Sequence, residues 1–61
     1  MKYKMTIYRR AFDPDWGFVV SREAKTFLGN SEKALLKMAS AWAAKEGISL
    51  EEIETRIDFA N

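Results

Sequence analysis

Apolar and polar residues alternate along "YKMTIYR" (Tyr3–Arg9). Tyr3, Met5 and Ile7 fall on one side, and Lys2, Lys4, Thr6, Tyr8 and Arg10 on the other. This period of two predicts a half-buried strand whose outer face is basic and polar. The stretch "DPDWG" (Asp13–Gly17) interrupts the pattern. Pro14 presets φ for the first turn position, the Asp13 carboxylate can cap the turn, and Gly17 can adopt the left-handed conformation that ends it. A hairpin loop built on a type I turn is expected there. The β-branched and aromatic "FVVS" (Phe18–Ser21) then returns as a second strand, and "EAKTFLG" (Glu23–Gly29) is read as a short third one.

The period changes at "GNSEKALLKMASAWAAKEG". Asn30 or Ser31 can cap a helix, Glu32 places a negative charge in its first turn, and the alanine-rich run favours helix by propensity. Leu35, Met38, Ala39 and Trp42 form one apolar stripe, with Lys33, Lys37, Ser40 and Ala44 opposite. Leu36 and Ala43 lie off that stripe as an apolar flank available to a partner or a second copy of the chain. Gly47 is placed to stop the helix in a left-handed conformation.

Two patterns overlap in "ISLEEIETRIDFAN" (Ile48–Asn61). Ser49 with Glu52 makes a capping-box spacing, and Leu50, Ile53 and Ile57 recur at helical intervals. Against this, Ile53, Thr55, Ile57 and Phe59 alternate strictly with Glu54, Arg56, Asp58 and Ala60, and three of the four are β-branched. The second pattern favours a strand over 53–59 after one helical turn at 49–52. The expected architecture is a two-layer α+β domain in ββ(β)αβ order: a hairpin with a third strand, one long helix packed on the sheet, and a C-terminal strand. Leu35, Met38, Trp42, Met5, Ile7, Phe18, Val20 and Ile57 are the expected core.

The 61 residues are expected to fold as a single domain, 1–61, of marginal stability, because a chain this size buries only about 60% of its unfolded surface. Without cysteine or histidine, disulfides, the usual zinc sites and imidazole chemistry are ruled out. No cofactor or metal site is expected. No apolar run approaches the roughly 20 residues of a bilayer span, which points to a cytoplasmic protein without a membrane partner. A net charge of +1 hides an uneven distribution. Lys2, Lys4, Arg9, Arg10, Arg22 and Lys25 lie in the first half, and Glu51, Glu52, Glu54 and Asp58 gather near the end.

The pieces "MKYKMTI", "DPDWGFVVS" and "GNSEKALLKMA", followed by a closing strand, resemble the N-terminal fold of HicB-like antitoxins. That family opens on a similar strand, turns at an acidic-Gly hairpin and enters its helix through a comparable Gly-to-Glu-Ala-Leu pattern. The chain differs from it at "REAKTFL", where a Pro-Gly-Cys type of stretch is usual, and the DNA-binding domain appended in that family is not expected here. Small phage-encoded inhibitors of host enzymes have a similar layout. Both resemblances imply a domain that acts by binding another protein, such as an antitoxin or an inhibitor from a mobile element.

The side chains suited to chemistry narrow the choice further. Asp13 and Asp15 flank a turn proline, and Glu51, Glu52 and Glu54 sit at a helical turn and an exposed strand face. Nothing in their spacing makes a calcium loop or an acid–base pair in a cleft, and an enzyme is not expected. Two binding surfaces stand out. Phe12 and Trp16 at the hairpin, flanked by Tyr8, Arg9 and Arg10, have the aromatic-plus-arginine make-up of protein interfaces. Alternatively, Lys2, Lys4, Thr6, Tyr8 and Arg10 on the outer face of the first strand could neutralise phosphates and stack bases of a nucleic acid.

Overall fold

The computed structural model describes residues 2–60. The elements are β1 (Tyr3–Asp13), β2 (Phe18–Gly29), α1 (Glu32–Glu46), a 3-10 turn (Leu50–Glu52) and β3 (Ile53–Phe59). The sheet is antiparallel in the order β2-β1-β3, with β1 central. Residues 53–59 are therefore a strand, preceded by a single helical turn capped by the Ser49 hydroxyl, which accepts from the Glu51 N–H.

β1 and β2 are longer than the alternation suggests. "FVVS" and "EAKTFLG" are one continuous strand, so the segment expected as a third strand is the far half of the second. The two halves look separate because of a bulge. Ile7 pairs with Lys25 but Tyr8 with Glu23, leaving Ala24 as an extra residue in β2. One inserted residue exchanges the two faces of every position beyond it. Val19 thus shares the open face with Phe12, whereas Phe27 turns toward the helix beside Met5.

The helix begins where Ser31 accepts from the Ala34 N–H and ends at Gly47, whose φ of 70° is left-handed. It packs over Met5 and Ile7. Leu35, Ala39, Ala43 and Ile53 complete the buried core, and Tyr3, Phe27, Trp42, Ile48 and Ile57 line its edges. This differs from the expected core in several places. Met38 is exposed and Ala43 is buried, so the inward stripe runs Leu35–Ala39–Ala43 and Leu36 alone remains of the apolar flank. Small residues on the inward face let the helix lie close to the sheet. A Cβ on Gly29 would stand only 3.0 Å from the Leu35 side chain. Phe18 and Val20 lie outside the core altogether, because nothing covers the sheet at their level.

The lengths of the elements explain that gap. The 15 residues of α1 reach about 22 Å and the 7 residues of β3 about 24 Å, against about 37 Å for the 11 residues of β1. β3 stops pairing at Arg9, opposite Ile53. Beyond that level β1 and β2 continue as a bare two-stranded ribbon, and the molecule measures 41 × 24 × 13 Å.

Candidate functional site

The ribbon from Arg10 to Ser21 is held in shape by its turn. The Gly17 N–H donates to the Asp13 carbonyl (2.8 Å), and Gly17 has the positive φ, 74°, that the turn requires. Asp13 is the organising side chain. One carboxylate oxygen accepts from the Asp15 N–H at 2.9 Å, and the other meets the Arg22 guanidinium at 2.5 Å across the hairpin. Its burial at the end of a projecting ribbon follows from these contacts. A charge-assisted bond and an Asx-type turn bond fix the turn where no core supports it.

On this frame sit exposed apolar side chains: Phe12 at 63%, Trp16 at 70%, Phe18 at 54% and Val19 at 60% of full exposure. The register puts Phe12 opposite Val19 on the face away from the helix. Trp16 lies against Phe18, with ring centroids 6.2 Å apart, in the tilted arrangement aromatic pairs favour. Both faces of the ribbon therefore carry exposed aromatic side chains. A shallow hollow of about 290 Å³ between Ala11, Asp13, Pro14, Val20 and Arg22 adds relief to the tip.

Arg9 and Arg10 stand at the base of the ribbon, where the acidic end of the chain meets them. Arg9 pairs with Glu52 (3.7 Å) and Arg10 with Glu54 (3.6 Å), and Arg10 also donates to the Glu51 carbonyl. The uneven charge of the sequence is thus folded back on itself. At the tip Phe12 pairs with Val19 on one face and Trp16 with Phe18 on the other, so the two expected anchors are not side by side, and Tyr8, half buried in the middle of the sheet, joins neither pair.

The open face of the sheet carries the other expected set. Lys4, Thr6, Tyr8 and Arg10 line up on it along β1, as the alternation implies. The neighbouring strands change its charge. Lys4 lies between Leu28 and Asp58, Thr6 between Thr26 and Arg56, and Tyr8 between Glu23 and Glu54. Arg56 reaches Asp58 at 3.3 Å, and the Thr26 hydroxyl donates to Glu23. Thr6 is buried in the centre of this face. The face is a mixed lattice of cations and carboxylates, not a basic stripe.

Phe18 was missed as a site residue because alternation assigns it, with Val20, to the core, and Val19 because it then reads as an ordinary outward strand position. The signal that could have found them is the mismatch between a long hairpin and a helix too short to cover it. Among the described residues, no three acidic side chains converge as a metal cage would require. Among the described residues, no helix is long and apolar enough to cross a membrane. In comparisons with protein families, curated proteins and solved structures, the chain matches none.

Proposed function

We propose that the chain is a small protein-binding module, inhibitor-like or antitoxin-like in its mode of action, that blocks a partner protein by presenting the tip of its β1–β2 hairpin. The observation that carries this reading is the bare ribbon with Phe12, Trp16, Phe18 and Val19 exposed on a turn fixed by Asp13. Preordered aromatics lose little conformational freedom on binding, so more of their burial energy becomes affinity. Trp and Phe at the centre of a contact supply much of its free energy.

The charge arrangement supports a protein partner over a nucleic acid. Arg9 and Arg10 have carboxylate partners, and the open face alternates in sign, so few cations are free to replace the counterions of phosphates. Asp13 and Asp15 at the apex would approach a phosphate backbone with the wrong sign.

The test is affinity capture from an extract of the source organism, with and without nuclease, using the intact protein and Trp16→Ala. The reading requires a protein retained after nuclease treatment, bound at least thirtyfold less tightly by Trp16→Ala (about 2 kcal/mol). Capture that disappears with nuclease, or that falls steeply with salt while ignoring Trp16, would replace it with nucleic-acid binding.

A further inference from the structure

We infer that the hairpin tip enters a cleft of its partner, a cleft with apolar walls on both sides of the ribbon and a lysine or arginine facing Asp15. This rests on the protein-binding reading above and specifies the shape and charge of what is bound.

The first argument is that the apolar surface is divided between two faces. Phe12 and Val19 point to one side of the ribbon, and Phe18 with Trp16 against it to the other. A flat partner, or a second copy stacked face to face across a twofold axis, covers one of these sides and leaves the other in water. Only a surface that passes around the ribbon removes both. Together the four side chains expose on the order of 500 Å², divided between the two faces. A standard interface takes about 800 Å² from each side. The four residues plus the flanking Ala11, Val20 and turn backbone approach that figure only if both faces are enclosed.

The second argument is charge. At the apex Asp13 and Arg22 neutralise each other at 2.5 Å. At the base Arg9 and Arg10 pair with Glu52 and Glu54. Asp15 is exposed and, among the described residues, has no ion-pair partner. Standing in the turn, it leads the ribbon into any cleft. A carboxylate carried into an apolar site without a cation is strongly unfavourable, so the complementary wall holds one. The same charge argues against a lipid surface, since an anionic membrane repels Asp15 and the bilayer interior penalises it.

The β2 edge is open for pairing, but Arg22, Glu23, Lys25 and the Ala24 bulge are the usual devices that keep such edges single. The open sheet face, turned on a second copy about the Tyr8 row, would set Glu23 and Glu54 against their own equivalents.

The experiment places photoreactive benzoyl-phenylalanine at position 12 and, separately, at position 18 of the full chain. Each protein is irradiated in an extract of the source organism, and the adducts are mapped by mass spectrometry. The expected result is one and the same protein trapped from both positions, with adducts on opposing walls of one cleft that contains a Lys or Arg. Asp15→Lys, which leaves the turn bonds of Asp13 intact, should lower both yields at least tenfold, and Asp15→Asn should lower them less. Trapping from one position only, or of different proteins from the two, overturns the cleft and leaves protein binding standing. Adducts between two copies of this chain identify a second copy as the occupant and overturn the proposal. Full yield with Asp15→Lys removes the cation. No protein adduct at either position sinks the protein-binding reading itself, and retention on phosphatidylcholine–phosphatidylserine vesicles would then identify a membrane instead.

Discussion

The two halves of the β1–β2 hairpin share their strands and differ in nearly everything else. From Tyr3 to Arg9 the central strand has a partner on each side and a helix beneath, and Met5 and Ile7 are fully buried. From Arg10 onward the same strand has one neighbour and no cover, and its Phe12 faces water, as do Trp16 in the turn and Phe18 and Val19 on β2. In the covered half, hydrophobic burial determines shape. In the bare half a few directional bonds do so, gathered on Asp13 and Gly17. An isolated two-stranded hairpin is marginal in water, so the overhang borrows rigidity from the core at its base and from the turn at its tip. Apolar residues that stabilise the first region are free in the second to bind something else.

The sharpest way to break this comparison is in the core. A domain of 61 residues has a total stability of about 3–9 kcal/mol. Leu35→Ala should remove about 2–5 kcal/mol, because Leu35 is fully buried against Met5, Ile7 and Gly29. Denaturant titration is expected to show most of the cooperative transition lost. A near-unchanged midpoint would mean that the helix does not pack on the sheet as described.

Asp13→Ala should come next, at about 1–3 kcal/mol, since it deletes a buried carboxylate with its backbone bond and its charge-assisted bond to Arg22. Its effect should be local. Hydrogen exchange is expected to accelerate at the amides of 11–13 and 15–20 while those of Met5–Ile7 keep their protection. Uniform acceleration along β1 would show the two halves to be one cooperative unit.

Removing the clamp at the junction should matter less. Arg10→Ala loses an exposed pair with Glu54, worth about 0.2–1 kcal/mol and diminished by salt, along with its bond to the Glu51 carbonyl. Thermal melts at low and high ionic strength measure that difference, and convergence of wild type and variant at high salt is the expected outcome.

The smallest effect on folding belongs to Trp16→Ala, within about 0.5 kcal/mol, because Trp16 is 70% exposed and, among the described residues, its aromatic partner is Phe18, itself more than half exposed. A loss comparable to that of Leu35→Ala would make Trp16 a packing residue and dissolve the distinction between the halves.

Elements with strong local signals were legible in the sequence. The Asp13–Gly17 turn, the Ser31 cap, the Gly47 stop and the β-branched alternation from Ile53 each depend on near neighbours in the chain. The helix face was only partly legible. The stripe through Leu35, Met38, Ala39 and Trp42 places Leu35 and Ala39 inward as they are, but includes Met38, which is exposed, and omits Ala43, which is buried. Phe18 and Val20 look inward by alternation, but alternation carries no information on where the covering helix ends. The Ala24 bulge was hidden for a related reason: a single extra residue resembles a break between two strands. The pairing of Arg9 and Arg10 with the acidic end depends on β3 lying beside β1, a relation between residues more than 40 positions apart. The site was legible as an aromatic turn with arginines nearby, and its extent and charge balance emerged only from the topology.

The common stopping point of α1 and β3 has a consequence for how such a chain can change. Apart from Asp13 and its partner Arg22, the exposed side chains beyond Arg9 contribute little to the cooperative transition, so replacing them leaves the folding threshold almost untouched. Pairs of residues could be inserted or removed from the two strands of the overhang together, preserving both faces and the turn. The tip can therefore drift rapidly under selection for a new target while the body beneath it stays constant, and in a laboratory library it would serve as a ready cassette for display. Covariation in such a library should accordingly be dense within the tip, confined on the body side to Arg22, and nearly absent between the tip and the helix.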